Sequence, residues 1–214
     1  MVTLQLRQLT VPPGQRLLIE DVDWAEFEQI LAELGEHRAS RIAYIQKTLE
    51  IRMPTPEPEI DKELIGDMVK ILLDELGLDC ECFGSTTFKA QSMESSLEPD
   101  QCFYIQNHAR MRGKRRIDLT LDPPPDLAIE VDVTSKTQLE AYVALGVAEL
   151  WRYENNQLQL YMLRGDRYQR ISSSPTFPDF PLAEQIAAVL QQSISQGRSP
   201  ALRAFRRQIR QLVG

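Results

Sequence analysis

Histidine and cysteine are scarce in this chain, with two of the one and three of the other in 214 residues. Cys80, Cys82 and Cys102 lack the C-x2-C spacing and the further His or Cys partners that a zinc site needs. Their odd number makes no disulfide framework, and free thiols buried in a reducing compartment are the expectation. His37 and His108 have no nucleophile at motif spacing, so histidine-based catalysis has nothing to work with. Long apolar runs are also missing, since none approaches the roughly 18 residues of a membrane span. The opening stretch MVTLQLRQLTVPPG has no basic cluster leading into an apolar run, so a cytoplasmic protein without a signal peptide is expected.

What is present is ordinary for a soluble globular chain: 43% hydrophobic and 26% charged residues, enough for one substantial core. The net charge of −7 excludes a protein held to nucleic acid by its overall field. Two local basic segments stand against that field, HARMRGKRR (108–116) and RSPALRAFRRQIR (198–210). Either suits a solvated surface or a phosphate contact.

Periodicity divides the chain into recognisable elements. TLQLRQLTV (3–11) alternates like a short strand. DVDWAEFEQILAELG opens with the capping-box pair Asp23 and Glu26 and reads as a helix closed by Gly35. RIAYIQKTLEIRMP predicts two strands joined at Gln46 and Lys47. PTPEPE reads as a stiff connector before a long helix, EIDKELIGDMVKILLDELG. LDCECFGSTTFK, EPDQCFYIQN, RIDLTL and DLAIEVDV are strand-like, the first bent at Gly84. TQLEAYVALG is a helix, AELWRYE a strand, and the span from DLAIEVDV to AELWRYE is a βαβ unit. A meander follows through Asn155-Asn156 and Gly165-Asp166, and the chain ends in helices. The expected division is an N-terminal strand and helix extension (1–40), a core domain (41–185) and a C-terminal helical tail (186–214).

The chemistry concentrates in PPPDLAIEVDVTSKTQ (123–138). Side chains alternate across a strand, so Leu127, Ile129, Val131 and Val133 share one face and Ala128, Glu130 and Asp132 the other. A strand leading a βαβ unit is covered on both faces. Ionised carboxylates there need a partner, unless the acids are the polar side of an amphipathic strand. Asp100, at the mouth of EPDQCFYI, offers a second acid from a neighbouring strand. Oxygen-only ligation of this kind suits Mg²⁺ or Mn²⁺. Asp126, just after the three prolines, reads as a residue held by local backbone bonds.

Four segments together carry a resemblance: GSTTFK (84–89), EPDQCFYIQN (98–107), PPPDLAIEVDVTSKTQ (123–138) and ALGVAELWRYE (144–154). This ordered series resembles the PD-(D/E)xK nuclease superfamily, and more closely its Uma-type restriction endonuclease family, over roughly residues 40–180. The resemblance implies an α/β, restriction-endonuclease-like mixed central sheet flanked by helices, with helical additions at both ends. It implies a Mg²⁺-dependent endonuclease acting on DNA, with Asp100 and Glu130 as metal ligands and Asp132 assisting. Glu63, on the first core helix, is the position from which superfamily members place a further glutamate near the metal. The superfamily lysine is absent, because Asp132 stands two residues after Glu130. In the Uma-type pattern that lysine lies four residues before a tyrosine; Tyr142 is similar to it, which puts Gln138 in the lysine's place. Lys136 and Lys89 are the neighbouring cations. Cutting two strands implies a homodimer. The alternative is a catalytically impaired nuclease-fold protein that serves as a binding or assembly module.

Overall fold

A computed structural model describes residues 8–35, 38–91, 94–131 and 135–213, with only the backbone of residues 56–58, 136 and 137. The strand expected over 3–11 begins outside this range. Residues 8–11 form no strand, and the first one described is β1 (Arg16–Ile19). Helix α1 (Trp24–Leu34) starts on the expected capping box: Glu26 N donates to Asp23 Oδ1 and Asp23 N to Glu26 Oε2, both at 2.9 Å. Strands β2 (Arg41–Ile45) and β3 (Thr48–Arg52) form a hairpin around Gln46 and Lys47, whose φ angles of 45° and 66° are both positive. Two such residues match the twist of the flanking strands. The turn sets Ile45 opposite Thr48 and, at the far end, Arg41 opposite Arg52. β1 and two short strands, β5 (Phe88–Ala90) and β6 (Ser95–Leu97), complete a five-stranded antiparallel sheet ordered β1-β3-β2-β6-β5. Its outer face is closed by α1, where the Phe27 ring stacks on Tyr44 at 4.5 Å.

Helix α2 (Pro56–Glu75) begins earlier than the proline-rich connector suggested. Prolines in a first helical turn remove donors that would have no partner anyway, so PTPEP leads into the helix without breaking it. β4 (Glu81–Cys82), β7 (Gln101–Tyr104), β8 (Leu127–Val131), β9 (Glu149–Glu154), β10 (Gln157–Arg164) and β11 (Arg167–Ile171) form a second sheet, ordered β11-β10-β9-β8-β7-β4. β8 and β9 are parallel and flank helix α4 (Lys136–Leu145), which gives the expected βαβ unit in a mixed sheet. A short helix, α3 (His108–Met111), follows β7. RIDLTL is not a strand. Asp118 accepts from Thr120 N at 2.9 Å and from Thr120 Oγ1 at 2.6 Å, and this local bonding winds the segment into a turn.

Both faces of the second sheet are covered. Leu127, Ile129 and Val131 pack with α2, α5 (Leu182–Gln196) and α6 (Arg198–Val213), whereas Ala128 packs with α4 and with Ala43 and Ile45 of the first sheet. The terminal helices therefore belong to the largest core, and a boundary at 186 falls inside α5. The second basic segment is spent on α2: Arg198 pairs with Asp67, Arg206 with Asp74 and Glu75, and Arg210 with Glu75. Of the thiols only Cys102 is buried. Cys82 is exposed, because β4 is a two-residue edge strand. Among the described residues no helix is long and apolar enough to cross a membrane.

The first sheet is tied to the loop before β7 by Glu98. This carboxylate pairs with Arg38, accepts from Thr87 Oγ1 at 2.6 Å and from Ile42 N at 3.2 Å, and is only 4% exposed. Removing one member of a buried pair typically costs about 3–5 kcal/mol. Glu98→Ala should lower unfolding stability on that scale in urea titration, and Glu98→Gln by clearly less.

Candidate active site

Pro99 and the antiparallel pairing of β7 with β8 decide where the acids meet. Gln101 lies opposite Ile129 and Cys102 opposite Ala128. One step outward in the same register, Asp100 comes opposite Glu130. Directly opposed side chains of an antiparallel pair share a face, with Cβ atoms about 4.5–5.5 Å apart. Asp100 Oδ2 accepts from Val131 N at 2.9 Å, which continues the ladder through a side chain. Asp126 secures the other end of the pairing by accepting from the N–H groups of Ile105, Gln106 and Asn107 at 2.7, 2.9 and 3.3 Å. That clamp is built from backbone bonds, as the sequence suggested, although the donors come from the chain leaving β7.

Asp100 and Glu130 are 4% and 1% exposed. Tyr142, on α4, donates its hydroxyl to Glu130 Oε1 at 2.5 Å. Arg52 Nη2 lies 3.8 Å from Asp100 Oδ1 and 3.7 Å from Glu130 Oε2, and Arg41 Nε lies 4.0 Å from Asp100 Oδ1. Burial is the main force on both acids. It raises Asp100 above the ordinary aspartate range, against the pull of Arg52, the Val131 N–H, Lys62 and Arg41. Glu130 is pushed up to about 8, first by burial and then by the neighbouring Asp100, with Arg52 and the Tyr142 hydroxyl acting in the opposite direction.

A cavity of about 180 Å³ opens beside this pair, lined among others by Arg16, Glu50, Arg52, Glu59 and Asp100. Glu50 is 2% exposed, lies on the same face of β3 as Arg52, and approaches Arg16 at 4.0 Å. The arginines reach the site as a row, because Arg16 and Arg41 both lie opposite Arg52 in their strand pairs.

The structure brings Asp100 and Glu130 together and leaves other expected residues elsewhere. Glu63 is exposed and accepts from Gln101 Nε2 at 3.1 Å; the preceding residue, Lys62, is buried, pairs with Glu59 and lowers the proton affinity of Asp100 by its charge. Gln138 is occupied in the capping box of α4, where its Oε1 accepts from Ser135 N at 2.9 Å. Lys89 pairs with Glu28 at 2.7 Å, away from the acids. Asp132 and His37 lie outside the described residues, and so does the side chain of Lys136. Sequence reasoning passed over Arg41 and Arg52. Their signal was the two-residue turn in RIAYIQKTLEIR, which forces the arginine at each end of the hairpin to face the other.

The donor set can be tested against a divalent cation. Glu130 Oε2 is buried and has no hydrogen-bond partner, and the Arg52 contacts at 3.7 and 3.8 Å are longer than hydrogen bonds. Two hard carboxylates from adjacent strands, one with a buried oxygen still unsatisfied, fit Mg²⁺ or Mn²⁺. Among the described residues no group of three or more His, Cys, Asp or Glu side chains is placed to hold a metal ion. An ion held by this pair would therefore need further ligands beyond the described side chains.

Comparison with known proteins supplies a context for this geometry. The family model Uma2, described as "Putative restriction endonuclease", matches residues 24–194. No curated protein matches. The crystal structure of a putative nuclease belonging to DUF820 from Anabaena variabilis is similar with a TM-score of 0.50 and 15% identity, over 85% of this chain and 99% of that one. At that identity the likeness concerns the fold.

The raised acid gives stability a definite pH dependence. Folding moves Glu130 from 4.5 to about 8, so the native state holds the proton more tightly than the unfolded chain. Its contribution is complete below about pH 4.5 and is lost as the pH climbs through 8. Without divalent ions, the melting temperature should fall across that window, and Glu130→Gln should flatten the decline. Tyr142→Phe removes a donor to the charged form and should move the decline to higher pH.

Proposed function

This chain belongs to the Uma2 family of putative restriction endonucleases, and from that premise we propose that it hydrolyses DNA phosphodiester bonds with the help of Mg²⁺ or Mn²⁺. The observation that carries the reading is the opposed pair Asp100 and Glu130, on one face, beside a cavity, with a buried carboxylate oxygen still lacking a partner. Asp100 and Glu130 would hold the metal, with Asp132, two residues further along the sequence, assisting. The ion, when bound, supplies a Lewis acid for a phosphoryl oxygen and a bound water of lowered pKa.

The remaining roles fall to the chain itself. Tyr142 fixes the orientation of Glu130 by donating its hydroxyl to Oε1, so that Oε2, which faces Arg52, is the oxygen that would be available to a metal ion. Arg52 takes over the cationic role of the missing lysine, because its guanidinium already faces both carboxylates and lines the cavity. A fixed positive group at that point stabilises the charge that grows on phosphate in the transition state. Gln138 contributes indirectly, by starting the helix that carries Tyr142. Lys136, at the head of the same helix, is the second candidate for the lysine's role. A duplex has two backbones, so cutting both calls for two copies of the chain.

One observation favours a second reading, a binding or assembly module without catalysis. Arg52 already faces both acids as a counter-ion.

Plasmid nicking separates the two. With Mn²⁺, the wild type should nick supercoiled DNA, and Asp100→Ala and Glu130→Ala should be slower by about 100-fold or more, the scale of a lost transition-state charge contact. Mn²⁺ should raise the melting temperature of the wild type and leave that of Asp100→Ala unchanged. Metal binding without nicking supports the binding module, and no effect of metal on either measurement removes the nuclease reading.

A further inference from the structure

Beside the carboxylate pair, on the other side of Arg41, lies a much larger cleft of about 1060 Å³. Its walls carry Arg38, Arg41, Lys89, Arg115 and Arg116 against two acids, Glu28 and Glu98. Such a cation excess is notable in a chain whose net charge is −7. Three of the five cations are paired internally, Arg38 with Glu98, Lys89 with Glu28 and Arg41 with Glu59 and Asp100. Arg115 and Arg116 are exposed and make no ion pair among the described residues. They come from the basic segment 108–116, which the candidate site does not use. Ser85, Thr86 and Thr87 add hydroxyls to the same wall.

We infer that this cleft binds the phosphate backbone of duplex DNA and leads it past Arg41 to the carboxylates. The inference rests on the nuclease reading for its substrate and on the cleft's own chemistry for the mode of binding. Cations and hydroxyls on loops are the groups that contact phosphate and position a duplex without reading it. Among the described residues the lining has no aromatic ring, and base stacking on aromatic rings is how single strands are held without sequence preference. Among the same residues it has no Asn or Gln, the usual bidentate partners of adenine. Arg41 joins cleft to site: it lines the cleft, and its Nε stands 4.0 Å from Asp100 Oδ1. A backbone seated along Arg115 and Arg116 would lie in the cleft whose wall also carries Arg41, the residue next to the acids.

The test is fluorescence anisotropy with a labelled mixed-sequence duplex of roughly 20 base pairs, without Mg²⁺ or Mn²⁺, over a salt series. The double variant Arg115→Glu/Arg116→Glu changes only exposed loop positions. It should weaken binding by about tenfold or more and reduce the slope of log affinity against log salt by about 2, near 0.9 for each lost phosphate contact. A control with the same charge change on the outer face of α6, Arg203→Glu/Arg207→Glu, should bind as the wild type does. Duplex should bind more tightly than a single strand of equal length. An unchanged slope, an equal loss in the α6 control, or a preference for single strands would each overturn the inference. Binding that depends on Arg115 and Arg116 without nicking upholds the cleft while the nuclease reading fails. Nicking with an unaltered KM in the double variant does the reverse.

Discussion

Two carboxylates buried side by side are a standing electrostatic cost, and the rest of this structure is arranged around meeting it. Neither Asp100 nor Glu130 reaches bulk water, and Asp100 raises the proton affinity of Glu130. The compensation comes from separate parts of the chain: a backbone N–H from β8, a hydroxyl from α4, a guanidinium from β3 and, for Asp100, Arg41 and Lys62 as well. No one of these is sufficient, because an unpaired buried charge costs several kcal/mol. Replacing a buried charged cluster by apolar residues is often neutral or stabilising, and the proposed metal site supplies a reason for acids at 100 and 130.

The division of labour between the two sheets follows from this. The mixed sheet presents the acids and, through its parallel βαβ unit, the tyrosine that orients one of them. The smaller antiparallel sheet presents the cations, and its other face is buried under α1. Anionic and cationic halves thus belong to different sheets and meet where Ala43 and Ile45 pack with Ala128 and α4.

Much of this was legible in the residues. The capping box of α1, the hairpin turn, the βαβ unit, the meander and the terminal helices all rest on local rules, and they appear where periodicity and turn residues put them. The acids were legible as well, since alternation places Glu130 opposite the apolar face of its strand and proline marks the start of the strand after Asp100. RIDLTL misled because its alternation resembles a strand, while the side chain of Asp118 closes a tighter turn. Glu63 was chosen one position from Lys62, and on a helix border a single step is a rotation of about 100°, enough to exchange core for solvent. Arg52 was missed for a different reason. The hairpin turn sets it opposite Arg41, but its approach to the acids depends on how two sheets meet, a long-range fact that the turn alone does not announce.

The turn at Gln46 and Lys47 therefore governs more than a hairpin. Strand faces exchange with every single-residue step, so one inserted residue there would send Arg41 outward on its strand or Arg52 on the other. The same slip would pull Tyr44 off Phe27 and turn it toward the acids. Reactive surface and hydrophobic interior thus share one geometric setting, and evolution could adjust the local charge by substitution but hardly by changing the length of this loop.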